Sequence, residues 1–119
     1  MNCEQLNKFC KDTLMEHLDI VYTEVSDGRI VAKMPVDSRT FQPMKRLHGG
    51  ATMALAESVG SAGSMTLIDP KQFAVLGVEI SGSHVATTKE NEVQKMVFCK
   101  KLFQLAIALT SFALNHPRV

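Results

Sequence analysis

The residues of this chain best suited to chemistry lie between Gln42 and Ser61. His48-Gly49-Gly50 opens a stretch of small apolar residues, and at such a helix start the first backbone N–H groups have no partner inside the helix. Paired glycines let a carbonyl oxygen approach those amides closely, which suits them to hold a developing oxyanion. Glu57 follows two turns later in a run dominated by Ala, Met, Leu, Val and Gly, where a charge is costly without a task or a partner. Oxyanion donors plus one carboxylate point to acyl chemistry. Taken singly, each residue has a plainer reading: His48 as a polar cap, the glycine pair as a tight turn, Glu57 as a paired structural carboxylate. Ser61 alone is a small helix residue, and Gln42 alone a surface loop residue. An oxyanion hole plus one carboxylate is a sufficient set for thioester hydrolysis, among other acyl chemistry, since that reaction needs no metal when the carbonyl is already activated and thiolate leaves readily. A serine-centred route lacks its G-x-S-x-G elbow, since Gly60-Ser61-Ala62-Gly63 falls inside the helix.

The elements that position these residues follow from periodicity. Leu6, Phe9, Cys10, Leu14 and Leu18 recur at helical spacing over residues 4–18, with a break near Lys11-Asp12-Thr13 where Asp12 or Thr13 caps a second short helix. Residues 19–25 are β-branched and aromatic, Ser26-Asp27-Gly28 signals a turn, and Ile30, Ala32, Met34 and Val36 alternate onto one face. That is a hairpin with one buried face. Pro35 closes it, and the polar residues 37–46 form a loop that delivers Gln42 to the helix start. The principal helix is expected over residues 49–65, its glycines and alanines giving a slim surface that a sheet can wrap closely. On it Gly50, Ala54, Glu57, Ser61 and Ser64 share a stripe, so Glu57 and Ser61 share a face. Residues 73–86, with Val75, Leu76, Val78, Ile80 and Val85, read as a long β-type stretch with Gly77 and Gly82 as bulges or close approaches.

Size and charge narrow the function. At 119 residues the chain is one domain with a modest core, so a large substrate binds at a surface or between subunits. A net charge of +1 with both signs interspersed lacks the basic footprint of nucleic-acid binding. Cys3, Cys10 and Cys99 have neither C-x-x-C spacing nor the density of a disulfide scaffold, which suits a reducing cytoplasm. The longest apolar run, residues 102–114, is too short to span a bilayer and is interrupted by Gln104 and Thr110; no membrane partner and no export are expected.

The ordered motifs Gln42-Pro43, Leu47-His48-Gly49-Gly50-Ala51 and Leu55-Ala56-Glu57-Ser58 resemble the hotdog-fold acyl-CoA thioesterases of the phenylacetate-degradation type. The likeness is greatest to the branch acting on 1,4-dihydroxy-2-naphthoyl-CoA, an intermediate of menaquinone biosynthesis. His17-Leu18-Asp19-Ile20-Val21-Tyr22, Met34-Pro35-Val36-Asp37, Gly77-Val78-Glu79-Ile80 and Ser83-His84-Val85 extend it over about residues 6–93. The resemblance implies an α+β fold, an antiparallel sheet wrapped around a central helix, and a homodimer or homotetramer with each active site at a subunit interface. It implies Glu57 as nucleophile or general base, Gln42 and the Gly49 N–H on the thioester oxygen, His48 orienting the site or assisting the leaving thiolate, and Ser61 placing water or acyl group. It also implies that His84, Thr87, Thr88 and Lys89 bind CoA.

After about residue 93 the family's pattern stops, and residues 94–119 form an atypical tail in place of two closing strands and a CoA-contacting turn. Leu102, Leu105, Ala106, Leu109 and Ala113 fit a helical stripe, although a buried strand has a similar composition. A shifted reading frame or a truncation accounts for such an ending. Two other functions fit the residues: a hotdog dehydratase or hydratase, and a non-catalytic acyl-CoA-binding or degenerate hotdog protein.

Overall fold

The computed structural model describes residues 1–86, 88–89 and 93–99. Its elements run α1 (Cys3–Phe9), α2 (Leu14–His17), β1 (Val21–Ser26), β2 (Arg29–Pro35), α3 (Gly49–Met65) and β3 (Val93–Cys99). Asn2 and Gln5 exchange side-chain-to-backbone bonds of 2.9 Å at the start of α1. This reciprocal cap satisfies two amides that the helix cannot. Asp12 breaks the helical run with a φ of 59°, and Thr13 caps α2 by accepting from the Met15 N–H.

β1 and β2 form the expected hairpin around Asp27-Gly28, where Gly28 supplies the positive φ that a two-residue turn requires. A bulge between Tyr22 and Glu24 shifts the register. Ile30, Ala32, Met34 and Val36 are buried to within 1% of complete, as their alternation predicts. β3 lies antiparallel on β2, pairing Val93 with Pro35 and Cys99 with Arg29, so the sheet order is β1-β2-β3.

α3 packs on this sheet through Ala51, Leu55, Val59 and Ala62, together with Phe98 of β3. Burying Leu55 and Val59 contributes about 1.5–3 kcal/mol each. Gly63 meets the Phe98 ring so closely that a Cβ there would overlap it. The turn spacing puts Glu57 and Ser61 on the side of α3 opposite this apolar stripe. Ser64 shares their stripe but is buried, its hydroxyl donating to the Gly60 carbonyl at 2.8 Å.

Residues 73–86 correct the expectation of a strand: they form no regular element. A strand needs a neighbour to accept and donate its ladder bonds, and no described residue pairs with this stretch. Leu76, Val78, Ile80 and Val85 accordingly stand exposed. The stretch crosses α3 instead, with Gly77 over Glu57, Gly82 against Met53 and His84 against Gly49. Thr87 and the apolar run of residues 102–114 lie outside the described residues. No helix among the described residues is long and apolar enough to cross a membrane.

Candidate active site

The loop after β2 is stapled to the start of α3 by Thr40. Its buried hydroxyl donates to the Pro35 carbonyl at 3.0 Å, and its carbonyl accepts the His48 N–H at 2.8 Å. Phe41 bridges Leu47 across a tight turn, in which the Gln42 N–H donates to the Arg46 carbonyl and the Lys45 N–H to the Gln42 carbonyl. Lys45 takes a φ of 58° there and sets its ammonium 5.7 Å from the Phe41 ring centroid. The Gln42 side-chain oxygen accepts the Met44 N–H. The NH2 end of the same amide makes no hydrogen bond among the described residues.

His48 caps α3, its Nδ1 accepting the Gly50 N–H at 2.8 Å. The cap consumes the Gly50 amide, and the Ala51 and Thr52 amides both donate to the His48 carbonyl. Of the first four amides only that of Gly49 makes no hydrogen bond among the described residues. The His48 Nε2 remains outside the cap, on an exposed side chain.

Two turns along, the Ser61 hydroxyl donates to Glu57 Oε1 at 3.3 Å, and both side chains are half-buried. The backbone of Gly77 lies directly over the carboxylate, where a Cβ would overlap Oε1. Beneath this turn the Tyr22 phenol donates to the Ser58 carbonyl at 2.8 Å. Burial raises the Tyr22 pKa well above its usual value, so the group stays a donor at any working pH.

A cleft of about 700 Å³ opens at the start of α3, lined by Gln42, Gly49, Thr52, Ser83, His84 and Thr88 among others. The His84 ring packs against Gly49, with Nε2 2.8 Å from where a Cβ would stand. The Leu47 N–H donates to the Thr88 carbonyl at 3.1 Å, and Arg46 bridges Lys89, which ties residues 88–89 to the Gln42 turn. The candidate residues therefore separate into two groups. Gln42, Gly49, His84 and Thr88 share the cleft, whereas Glu57 and Ser61 do not line it. Lys89 and His48 stand next to lining residues without lining it themselves.

No protein-family model matches the chain. The proofreading thioesterase EntH of Cronobacter sakazakii is 47% identical over 95 residues, which cover 79% of this chain and 68% of that protein. The chain belongs to the hotdog-fold thioesterases. A thioesterase of Pseudomonas aeruginosa, crystallised as a Gln-to-Ala variant, superposes with a TM-score of 0.78 at 36% identity, covering 82% of this chain and 69% of that one. A Staphylococcus aureus thioesterase, solved separately as a Gln-to-Ala and a Glu-to-Ala variant, superposes at 0.66 with 33–34% identity, covering 71% of this chain and 69% of that one. This thioesterase spans 61–68% of the length of the curated relatives it matches.

Sequence reasoning passed over Thr52 and Ser83, which line the cleft of this thioesterase. Thr52 was discoverable, because it stands three residues after Gly49 on the same side of the first helical turn. Ser83 carried no signal of its own, since its place depends on the path of residues 73–86 across α3.

Proposed function

We propose that this chain hydrolyses acyl-CoA thioesters to free acid and CoA, preferring aryl-CoA esters similar to 1,4-dihydroxy-2-naphthoyl-CoA. The observation that carries the reading is the Gly49 N–H, unpartnered among the described residues, on the same cleft as the Gln42 carboxamide. Two such donors, with no carboxylate among the described lining residues, suit a carbonyl oxygen that gains negative charge. Glu57 then attacks the acyl carbon to form a mixed anhydride, or takes a proton from the water that attacks it. By either route the C–S bond breaks, CoA leaves as its thiol, and water supplies the acid's new oxygen. Ser61 orients the Glu57 carboxylate or the water, and His48 Nε2 assists the departing sulfur. His84, Thr87, Thr88 and Lys89 hold the nucleotide and phosphates of CoA. The aryl preference, and with it a place in menaquinone biosynthesis, rests on the sequence resemblance, and a cytoplasmic location on the cysteine usage.

The separation of the two groups bears on assembly. Glu57 follows Gly49 by eight residues, about 12 Å along the helix axis. A reacting carbon must lie about 3 Å from both its donors and its base, so one chain does not assemble the site by itself. In our reading the protein is a homodimer or homotetramer in which Gly49 and Gln42 of one copy meet Glu57 of another. The exposed Leu76, Val78, Ile80 and Val85 support this, because an unladdered apolar stretch of that kind is stabilised by cover. The two substitutions in the Staphylococcus aureus protein stand 15 residues apart, the separation of Gln42 and Glu57 here, which supports both as working residues.

CoA release from benzoyl-CoA and a series of alkyl-CoA esters, followed as free thiol, tests the proposal. The wild-type chain is expected to turn over aryl esters fastest. Glu57→Ala is expected to lower kcat by about 10²-fold or more while the protein stays folded. Binding of benzoyl-CoA with no CoA release from the wild type would mark a binding module instead.

A further inference from the structure

We infer that Tyr22 is a positioning residue for Glu57, acting through its hydrogen bond to the Ser58 carbonyl; this rests on the reading of Glu57 as the working carboxylate. Tyr22 is 4% exposed, and its backbone is clamped at the outer edge of β1 by the Asn7 carboxamide. Asn7 donates to the Tyr22 carbonyl at 3.0 Å and accepts its N–H at 2.8 Å, taking the place of a neighbouring strand. From that fixed point the phenol reaches α3 and donates to Ser58, the residue next to Glu57, at 2.8 Å.

The direction of Glu57 depends on how α3 is rotated about its axis. Leu55 and Val59 hold the helix to the sheet by apolar contact, which is non-directional. Tyr22 to Ser58 is the one side-chain hydrogen bond between the β1–β2 hairpin and α3 among the described residues. The helix itself offers little stiffness at this turn, with Gly60 and Gly63 just beyond it. Serine hydroxyls of the helix also donate to carbonyls four residues back, Ser58 to Ala54 at 2.7 Å and Ser64 to Gly60 at 2.8 Å, and such bonds bend helices. A directional bond at Ser58 therefore sets the rotation that points Glu57 and its Ser61 partner.

Tyr22→Phe isolates the effect, because the ring still fills the core and the Ser58 carbonyl keeps its helical partner. Initial rates on benzoyl-CoA are compared for the wild type, Tyr22→Phe, Glu57→Gln and Ile30→Val, together with each thermal midpoint. Ile30→Val serves as the stability control: it thins the same core away from the site, lowers the midpoint, and keeps wild-type kcat. The expected result for Tyr22→Phe is a kcat, taken per folded chain from the circular-dichroism signal at the assay temperature, about 3- to 10-fold lower with KM within about twofold; a lost folded fraction alone is removed by that normalisation. A kcat within twofold of wild type, or a loss matched by Ile30→Val at the same midpoint, overturns the role. An inactive Glu57→Gln beside an unimpaired Tyr22→Phe sinks the Tyr22 inference alone, whereas a fully active Glu57→Gln sinks the reading of Glu57 and this role together.

Discussion

Mixing two inactive variants gives the most decisive test of the shared site. Glu57→Ala removes the carboxylate and Gln42→Ala removes a carbonyl donor, so each homogeneous protein is expected to lose about 10²-fold in kcat. About 12 Å of helix separates the Gly49 and Gln42 end of α3 from Glu57. If each site draws the two ends from different copies, a hybrid dimer holds one site with both defects and one with neither. Random reassortment makes half the dimers hybrids, and half the sites in a hybrid are intact, which restores about one quarter of wild-type kcat per chain under two-fold symmetry. Refolding equal amounts of the two variants together, then measuring thiol release from benzoyl-CoA, reads this directly; hybrids purified by two different tags should reach about one half. A mixture no more active than the mean of its parents would place donors and carboxylate in one chain and refute the spacing argument.

The remaining predictions concern the cover, the cleft and the loop. Gly77→Ala should lower kcat about tenfold or more, because its Cβ overlaps Glu57 Oε1 and displaces the carboxylate from Ser61. Gly60→Ala, whose Cβ meets no described atom within 4 Å, should instead gain up to about 1 kcal/mol of helix stability, read as a higher thermal midpoint. Replacing His84 and Lys89 by alanine should raise KM for CoA esters more than it lowers kcat, since contacts to a remote nucleotide bind ground and transition states alike; steady-state kinetics with CoA esters and with truncated thioesters separate the two effects. Hydrogen bonds from Arg39 hold the Asp37 carboxyl below its ordinary value of 3.8, so this pair stabilises the fold above that value and the gain is lost as pH falls through the lowered pKa. Arg39→Met should therefore flatten the acid limb of a plot of thermal midpoint against pH, by a small amount because the pair is exposed.

How much of this was legible in the sequence differs by element. The hairpin and α3 could be read because their signals are local: the alternation from Ile30 to Val36 has one face to bury, and Gly49 to Met65 carries a helical stripe behind a capping His48. The common face of Glu57 and Ser61 followed from a four-residue spacing, and their 3.3 Å contact agrees with it. Residues 73–86 failed the same reading, since β-type composition describes what a strand needs and not whether a neighbour is there to pair with it. His48 shows another limit: its type suits capping and catalysis alike, and only the tertiary structure puts Nδ1 on the Gly50 amide and leaves Gly49 without a partner for its N–H among the described residues. By itself, then, the sequence determined the chemical inventory, the family and the elements whose periodicity is local. Tertiary structure alone decided that Tyr22 holds Ser58, that Gly77 covers Glu57 and that Gln42 shares a cleft with His84, because those contacts join residues 20 to 42 positions apart and depend on how α3 lies against its neighbours.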